Sequence, residues 1–223
     1  MNIFGSLMIG LGLVSQQVVA QDGGSTPCPP SVVREASPSE IRTFFQARQM
    51  KVLSFFGYSG AGYEDEARML SEATKVLDQA DPRDTLVNIG ATLEGIGAVY
   101  DIAKRKGFTT TGIVSTEARD NQVPLARCVD YVFFVKDGSW GGFLPGTTQL
   151  SPTSAAMVEN SDVLVAIGGG EVARDELRVA KQAGKAVQFI PADMNHAAAI
   201  EKAKKKGQPV PTEFGGAAAE AFD

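Results

Sequence analysis

The sequence predicts an α/β domain built on a doubly wound, mostly parallel sheet with helices on both faces. Six short runs, apolar on both faces, recur along the chain, amphipathic stretches of helical period lie between them, and glycine-rich turns follow several of the runs. Strands apolar on both faces belong to sheets covered on both sides, and right-handed crossovers between them give the doubly wound arrangement.

The elements read as follows. Ile3 to Val14 is apolar and glycine-rich, and Val18-Val19-Ala20 ahead of Gln21 has the small-residue pattern of a signal-peptidase site, although no Lys or Arg precedes it. This stretch is too short to span a membrane comfortably. Kept on the chain, it implies a cytoplasmic protein; removed as a signal peptide, it implies an exported one. The first reading is the expectation and export the alternative. Asp22 to Ser31 is a Gly/Ser/Pro linker. Ser37-Pro38-Ser39-Glu40 is a capping box with proline at the first helical position, opening a helix over Pro38 to Gln49. Strands are then expected at Val52–Phe56, Leu86–Ile89, Thr110–Val114, Tyr131–Val135, Val163–Ile167 and Val187–Ile190, and helices at Tyr63–Gln79, Gly95–Arg105, Pro152–Asn160, Val172–Ala183 and Ala197–Lys205. The organisation is a leader and linker over residues 1–31, an accessory N-terminal helix over 32–50, a ligand-binding domain over 51–207 and a tail over 208–223.

Composition narrows the function. Charged residues are 21% of the chain and the net charge is −5, so no basic field recruits nucleic acid. The run Lys202, Lys204, Lys205 and Lys206 suits the end of a helix, where it complements the dipole. The two cysteines, Cys28 and Cys128, have no Cys or His at ligand spacing, and the single histidine is His196, so no metal site is expected. A Cys28–Cys128 bridge belongs only to an exported protein. His196, at the start of a late helix, reads as a cap or surface residue.

In doubly wound sheets ligands sit beyond the carboxyl ends of the strands. Four segments there carry candidate site residues. Gly57, Tyr58, Ser59 and Gly60 follow the first long strand, and glycines in such a turn let backbone approach an anion at a helix start. Gly90 and Thr92 follow the second, with Glu94 beside them. Lys136 to Leu150 is a long loop with the only tryptophan, Trp140: a lid that stacks a ring on a ligand, or a surface hairpin with Trp140 tucked into a groove. After it, Thr153 and Ser154 open a helix and offer neutral donors. Gly168, Gly169, Gly170 and Glu171 form the strongest signal, since a plain strand-to-helix turn needs at most one or two glycines. Glu176 lies one turn into the following helix.

The stretch GGGEVARDE resembles the PGGxGTxxE motif of the Lonely Guy (lysine decarboxylase-like) proteins, and NIGATLEGIGAVYDIA resembles their GGGxxGLMGAxxxxA segment. The resemblance runs from about Val52 to about Ile190 and extends to a wider Rossmann-like superfamily with molybdenum-cofactor carrier proteins. It implies a nucleotide or pterin-type ligand, no obligatory cofactor, and a homodimer or larger assembly. It also implies N-glycosidic hydrolysis of a nucleotide, with the motif glutamate at Glu176 as the catalytic carboxylate. Two departures favour binding over cleavage: Ser151-Pro152-Thr153-Ser154-Ala155 stands where the family carries an arginine, and Val172-Ala173 replaces the Gly-Thr of the motif. The expected function is therefore a nucleotide-like ligand carrier, with a phosphoribohydrolase-type enzyme and a non-catalytic partner-binding domain as alternatives.

Overall fold

The computed structural model describes Cys28 and residues 31–223, so the leader and most of the linker lie outside the described residues. Seven parallel strands, β1 (Val32–Glu35), β2 (Lys51–Gly57), β3 (Thr85–Ile89), β4 (Thr109–Ser115), β5 (Tyr131–Val135), β6 (Val163–Ile167) and β7 (Ala186–Ile190), form one sheet in the order β1-β5-β4-β3-β2-β6-β7. The helices are α1 (Pro38–Arg48), α2 (Glu66–Leu77), α3 (Val99–Arg105, after a 3₁₀ turn at Gly95–Ala98), α4 (Thr116–Asp120), α5 (Pro152–Glu159), α6 (Glu171–Gln182) and α7 (His196–Lys205). All six expected strands form. No helix among the described residues is long and apolar enough to cross a membrane.

Strand alternation sorts the core into two layers. Leu53, Phe55, Val87, Ile89, Val165 and Ile167 face α2 and α3, packing on Met69, Leu77, Val99 and Tyr100. Val52, Phe56, Leu86, Ile113, Leu164 and Ala166 face α1, α5 and α6, packing on Ile41, Phe45, Met157 and Leu177. A buried polar ladder crosses the second face. Thr111 Oγ1 donates to Asn88 Oδ1 (3.0 Å), Asn88 Nδ2 donates to Ser54 Oγ (3.2 Å), and Ser54 and Ser161 hydroxyls pair at 2.6 Å. A one-residue slip of β3 would turn Asn88 into the apolar α2–α3 layer without partners, so the ladder opposes wrong registers.

The capping box of α1 forms as expected, with Ser37 N–H donating to Glu40 Oε2 at 2.8 Å. The stretch read as an accessory helix alone also supplies β1, which adds an edge strand beside β5. Its four residues are all exposed and show no alternation, so nothing in Val-Val-Arg-Glu marked a strand. In the C-terminal tail a 3₁₀ turn, Ala218–Ala221, packs against α6 and buries Ala218 and Ala221.

The chain runs outward from β2 through β3 and β4 to β5, then returns through α5 to β6 on the other side of β2. The seam between β2 and β6 is therefore the topological switch point, where α/β sheets place their ligands. Tyr63 closes this seam. Its hydroxyl donates to Ile167 O (2.8 Å) and accepts the Tyr58 N–H (3.2 Å), taking up backbone groups at and just past the last paired residues, Gly57 and Ile167. A Cβ on Gly57 would collide with that hydroxyl. Burial holds the phenol neutral well above its ordinary range. Tyr63→Phe strands a buried N–H and removes one acceptor contact, and is expected to cost about 1–3 kcal/mol of stability. Urea denaturation checks this: an unchanged midpoint would show that the bridge is dispensable.

Candidate functional site

The loops at the carboxyl ends of the strands are held in different ways, and those bonds decide which backbone groups stay open. After β2, Tyr58 is buried rather than presented. Its ring packs beside Gly168 and its hydroxyl is shared between the carbonyls of Ala192 (3.1 Å) and Phe214 (3.3 Å). Burial pushes its pKa up. Ser59 and Gly60 are exposed, with the Glu94 carboxylate near Gly60. Gly90 and Thr92, after β3, sit in a loop whose bonds run to Ala126 and back to Glu94, not to the β6 turn.

The glycine turn after β6 divides in two. Gly168 (φ 58°) and Gly169 (φ 126°) occupy the left-handed half of backbone space. A Cβ at Gly168 would meet Ala192 O and the Tyr58 ring at 2.6 Å, and one at Gly169 would meet Ala173 Cβ at 2.8 Å. Ala218 N–H donates to Gly169 O at 3.0 Å, so the tail lies against this turn. Both glycines thus serve approaches by the chain's own atoms. Gly170 differs: its φ of −93° and ψ of −158° suit any residue, and a Cβ there meets nothing within 4 Å.

Gly170 is the N-cap of α6 and offers no side chain. The other helices of eight residues or more are capped by Ser37, Asp65, Ser151 and Asn195. At α6 the N–H groups of Gly170, Glu171, Val172 and Ala173 meet no acceptor among the described residues. The start of α5 is the opposite case. Asp137 Oδ2 accepts the Thr153 N–H at 2.9 Å, its Oδ1 accepts Ser139 N–H and Oγ, and Ser151 caps the Ser154 N–H. Burial opposes the charge on Asp137, but these donated bonds outweigh it and hold its carboxyl below the ordinary value. Thr153 Oγ1 is buried and meets no hydrogen-bond partner among the described residues.

Ser154 and Glu176 come together at the base of the Lys136–Leu150 loop, with Gly141 lying between Ser154 Oγ and the Val172 side chain in the first turn of α6. Ser154 Oγ donates to Glu176 Oε1 at 2.7 Å and accepts the Gly142 N–H at 2.8 Å. Asp175, next to Arg174 on α6, is buried as well: it accepts the Phe143 N–H at 3.0 Å while Arg174 Nε donates to its other oxygen at 3.0 Å. Together these bonds anchor the base of the Lys136–Leu150 loop on α5 and α6. The loop's tip stays free. Trp140 is 56% exposed, not tucked into a groove, and the neighbouring Gly141 lies against Val172 in the first turn of α6.

Asp137 escaped the sequence reading, although an Asp-Gly-Ser one residue after a buried strand is the signature of a side chain that caps nearby backbone. Tyr63 escaped it too, read only as the first residue of a helix. His196 stacks on Phe214 at 3.9 Å, and its N–H donates to Glu64 Oε2 at 2.8 Å. Beside it, a cleft of about 250 Å³ lined by Glu64, Arg68, Met69, Ile190 and Asp193 opens near the end of β7, on residues that no glycine turn marked.

Glu176 is shut in, and burial raises its pKa to about 8; the Ser154 bond lowers it and the adjacent Asp175 raises it. The folded protein therefore keeps a proton that the unfolded chain releases near 4.5. Stability should be full below about pH 4.5 and fall as the pH rises towards 8, at up to about 1.4 kcal/mol per unit, then level off. Asp137 acts with the opposite sign below pH 4. Glu176→Gln keeps the acceptor for Ser154 and should flatten the profile between pH 5 and 8. Urea midpoints at pH 5, 7 and 9 for both proteins test this, and parallel profiles would rule out ionisation of Glu176 as the cause.

No family model matches the chain, and no curated protein matches it. Solved structures with a similar backbone include the structural-genomics target TM1055, at 24% identity and a TM-score of 0.45, covering 62% of this chain and 72% of that one. Two structures of the molybdenum cofactor carrier protein of Chlamydomonas reinhardtii are also similar, at 20% and 19% identity with TM-scores of 0.45 and 0.43. They cover 63% and 71% of this chain, and 76% and 85% of theirs. Likeness of this degree does not reach the site, whose reading rests on its own geometry.

Proposed function

We propose that the protein binds, rather than cleaves, a small phosphate-bearing ligand of nucleotide or pterin type at the start of α6. The carrying observation is the contrast between the two helix starts at the carboxyl end of the sheet. The chain supplies α5 with its own carboxylate, Asp137, while at α6, which begins at the switch point, four N–H groups meet no acceptor among the described residues. A helix start with free donors and the positive end of its dipole is suited to an anion. Trp140 directly precedes Gly141, which lies against Val172 in the first turn of α6, and its 56% exposure supports stacking on a planar group there.

The hydrolase reading rests on Glu176 as an active carboxylate. Glu176 is buried, protonated at neutral pH, and bonded to the serine that anchors the Trp140 loop. That supports a positioning role in the loop's base rather than attack on a ligand at the α6 start.

Gly170→Asp separates the function from stability. The new side chain would cap α6 from within, so the variant should be more stable by a few tenths of a kcal/mol. The same carboxylate should repel and displace a phosphate. In thermal-shift measurements the wild type should gain about 2.7 kcal/mol at ~100 times the dissociation constant of adenosine monophosphate or inorganic phosphate, and adenosine, which lacks the phosphate, should give a smaller shift at the same concentration as the monophosphate. Gly170→Asp should gain nothing. Equal shifts in the two proteins would refute the α6 site, as would no shift in the wild type at millimolar concentrations.

Because Trp140 is the chain's single tryptophan, its fluorescence reports on the site directly. Nucleotide should quench it and inorganic phosphate should not. Trp140→Ala should stay within about 0.5 kcal/mol of wild-type stability and bind nucleotide about 1–3 kcal/mol more weakly. Unchanged nucleotide affinity would remove Trp140 from the site.

A further inference from the structure

The two cysteines of the chain stand 100 residues apart in sequence, yet their Cα atoms lie 4.8 Å apart and their sulfurs are bonded. Cys28 precedes β1, and Cys128 precedes β5, the strand that pairs with β1. The bridge therefore sits at the start of that pairing, next to the bond from Val32 N–H to Asp130 O (2.8 Å). The placement has a use, because β1 is a four-residue edge strand whose residues are all exposed. Hydrogen bonds along one side give so short a strand little hold, and a covalent staple supplies the rest.

Cys128 also has a φ of 62°. An L-residue in the left-handed region costs roughly 1–2 kcal/mol that glycine avoids, so a side chain retained there implies that the side chain is used. Asp101 brings its carboxylate within 4.8 Å of both sulfurs, but with the sulfurs joined neither is a thiolate open to a metal.

We propose that Cys28 and Cys128 are oxidised to a structural disulfide in an exported form of the protein from which residues 1–20 have been removed. Disulfides form and persist outside the reducing cytosol. The residues that follow an export segment are consistent with this: Val18-Val19-Ala20 has the cleavage pattern, and Gln21, the new first residue, lies seven positions before Cys28. The bridge thus tethers the chain ahead of β1 to the segment that leads into β5. Its formation needs a disulfide-bearing donor, either a small molecule or a thiol oxidoreductase. One cysteine thiolate attacks the donor disulfide, giving a mixed disulfide and one donor thiolate. The second cysteine thiolate then attacks the cysteine sulfur of that mixed disulfide and expels the other donor thiolate. Two cysteine thiols are oxidised, the donor disulfide is reduced to two thiols, and the proton count is unchanged.

The test uses the full 223-residue chain produced in a host with an intact export pathway, fractionated and treated with iodoacetamide before intact-mass measurement. The expected product is exported, begins at Gln21, and takes up two alkyl groups only after reduction. A protein that keeps Met1 overturns the proposal, and so does one that is alkylated twice without reduction. Hydrogen exchange on the purified protein reads the staple itself. Reduction, or Cys28→Ser, should speed exchange of the Val32–Glu35 amides by on the order of tenfold while β3, inside the sheet, keeps its protection. Unchanged exchange in β1 would show that the bridge does not hold the edge strand.

Discussion

The Tyr63 hydroxyl spans the seam between β2 and β6, donating to Ile167 O and accepting from Tyr58 N–H. The ladder between these strands ends at Gly57 and Ile167, and beyond it the two chains part towards different loops. Buried N–H and C=O groups at such a parting need partners, and one phenol serves both. Much of the carboxyl end depends on this. The hydroxyl requires glycine at 57, and Tyr58 then turns its ring into the space beside Gly168. Tyr58 in turn reaches the carbonyls of Ala192 and Phe214, fixing the segment after β7 and the tail against the turn that starts α6.

From that arrangement follows the difference between the two helix starts. α5 begins after a loop that must itself be anchored, and Asp137 does both jobs, gathering Ser139 within the loop and the Thr153 N–H on the helix. An ionised carboxylate bound in this way belongs to the fold and leaves no room for a second anion. α6 begins straight from the strand, where Gly168 and Gly169 are spent on close packing and Gly170 brings no oxygen of its own. The helix is held by Ala173, Leu177 and Ala180 against the sheet and by the tail, so it does not need a cap to form. A dispensable cap left out at the switch point is what a ligand-binding helix start requires.

The sheet was legible because β2 to β6 are largely buried on both faces and mostly apolar, with the polar breaks at Ser54, Asn88 and Thr111 paired among themselves, while the half-exposed edge strand β7 still carries Val187, Phe189 and Ile190. β1 was not, since a strand of four exposed residues held by one neighbour and a disulfide carries no hydrophobic signal of its own. α4, five residues long, fell below any periodicity. Glu176 and Ser154 stood out in the sequence as positions, but their pairing, and the burial that holds Glu176 protonated, arise from contacts between α5, α6 and a loop far apart along the chain. Asp175 shows the same limit more sharply: an Arg-Asp pair on a helix looks like surface chemistry until a loop amide from 32 residues earlier is found bonded to it.

The glycine triplet shows why a correct signal can still be ambiguous. Glycine marks a place where another atom comes too close for a Cβ, or where φ is positive, and it says nothing about whose atom that is. At Gly168 the atom belongs to Tyr58 and Ala192, and at Gly169 to Ala173 and the tail. Only at Gly170 are both requirements absent, since φ is ordinary and the space is open. There, neither sterics nor backbone conformation calls for glycine, and serine, asparagine or aspartate would cap the helix better. Gly170 is thus the one glycine of the three that the fold leaves unexplained, and the missing cap oxygen is the feature that a bound anion would explain.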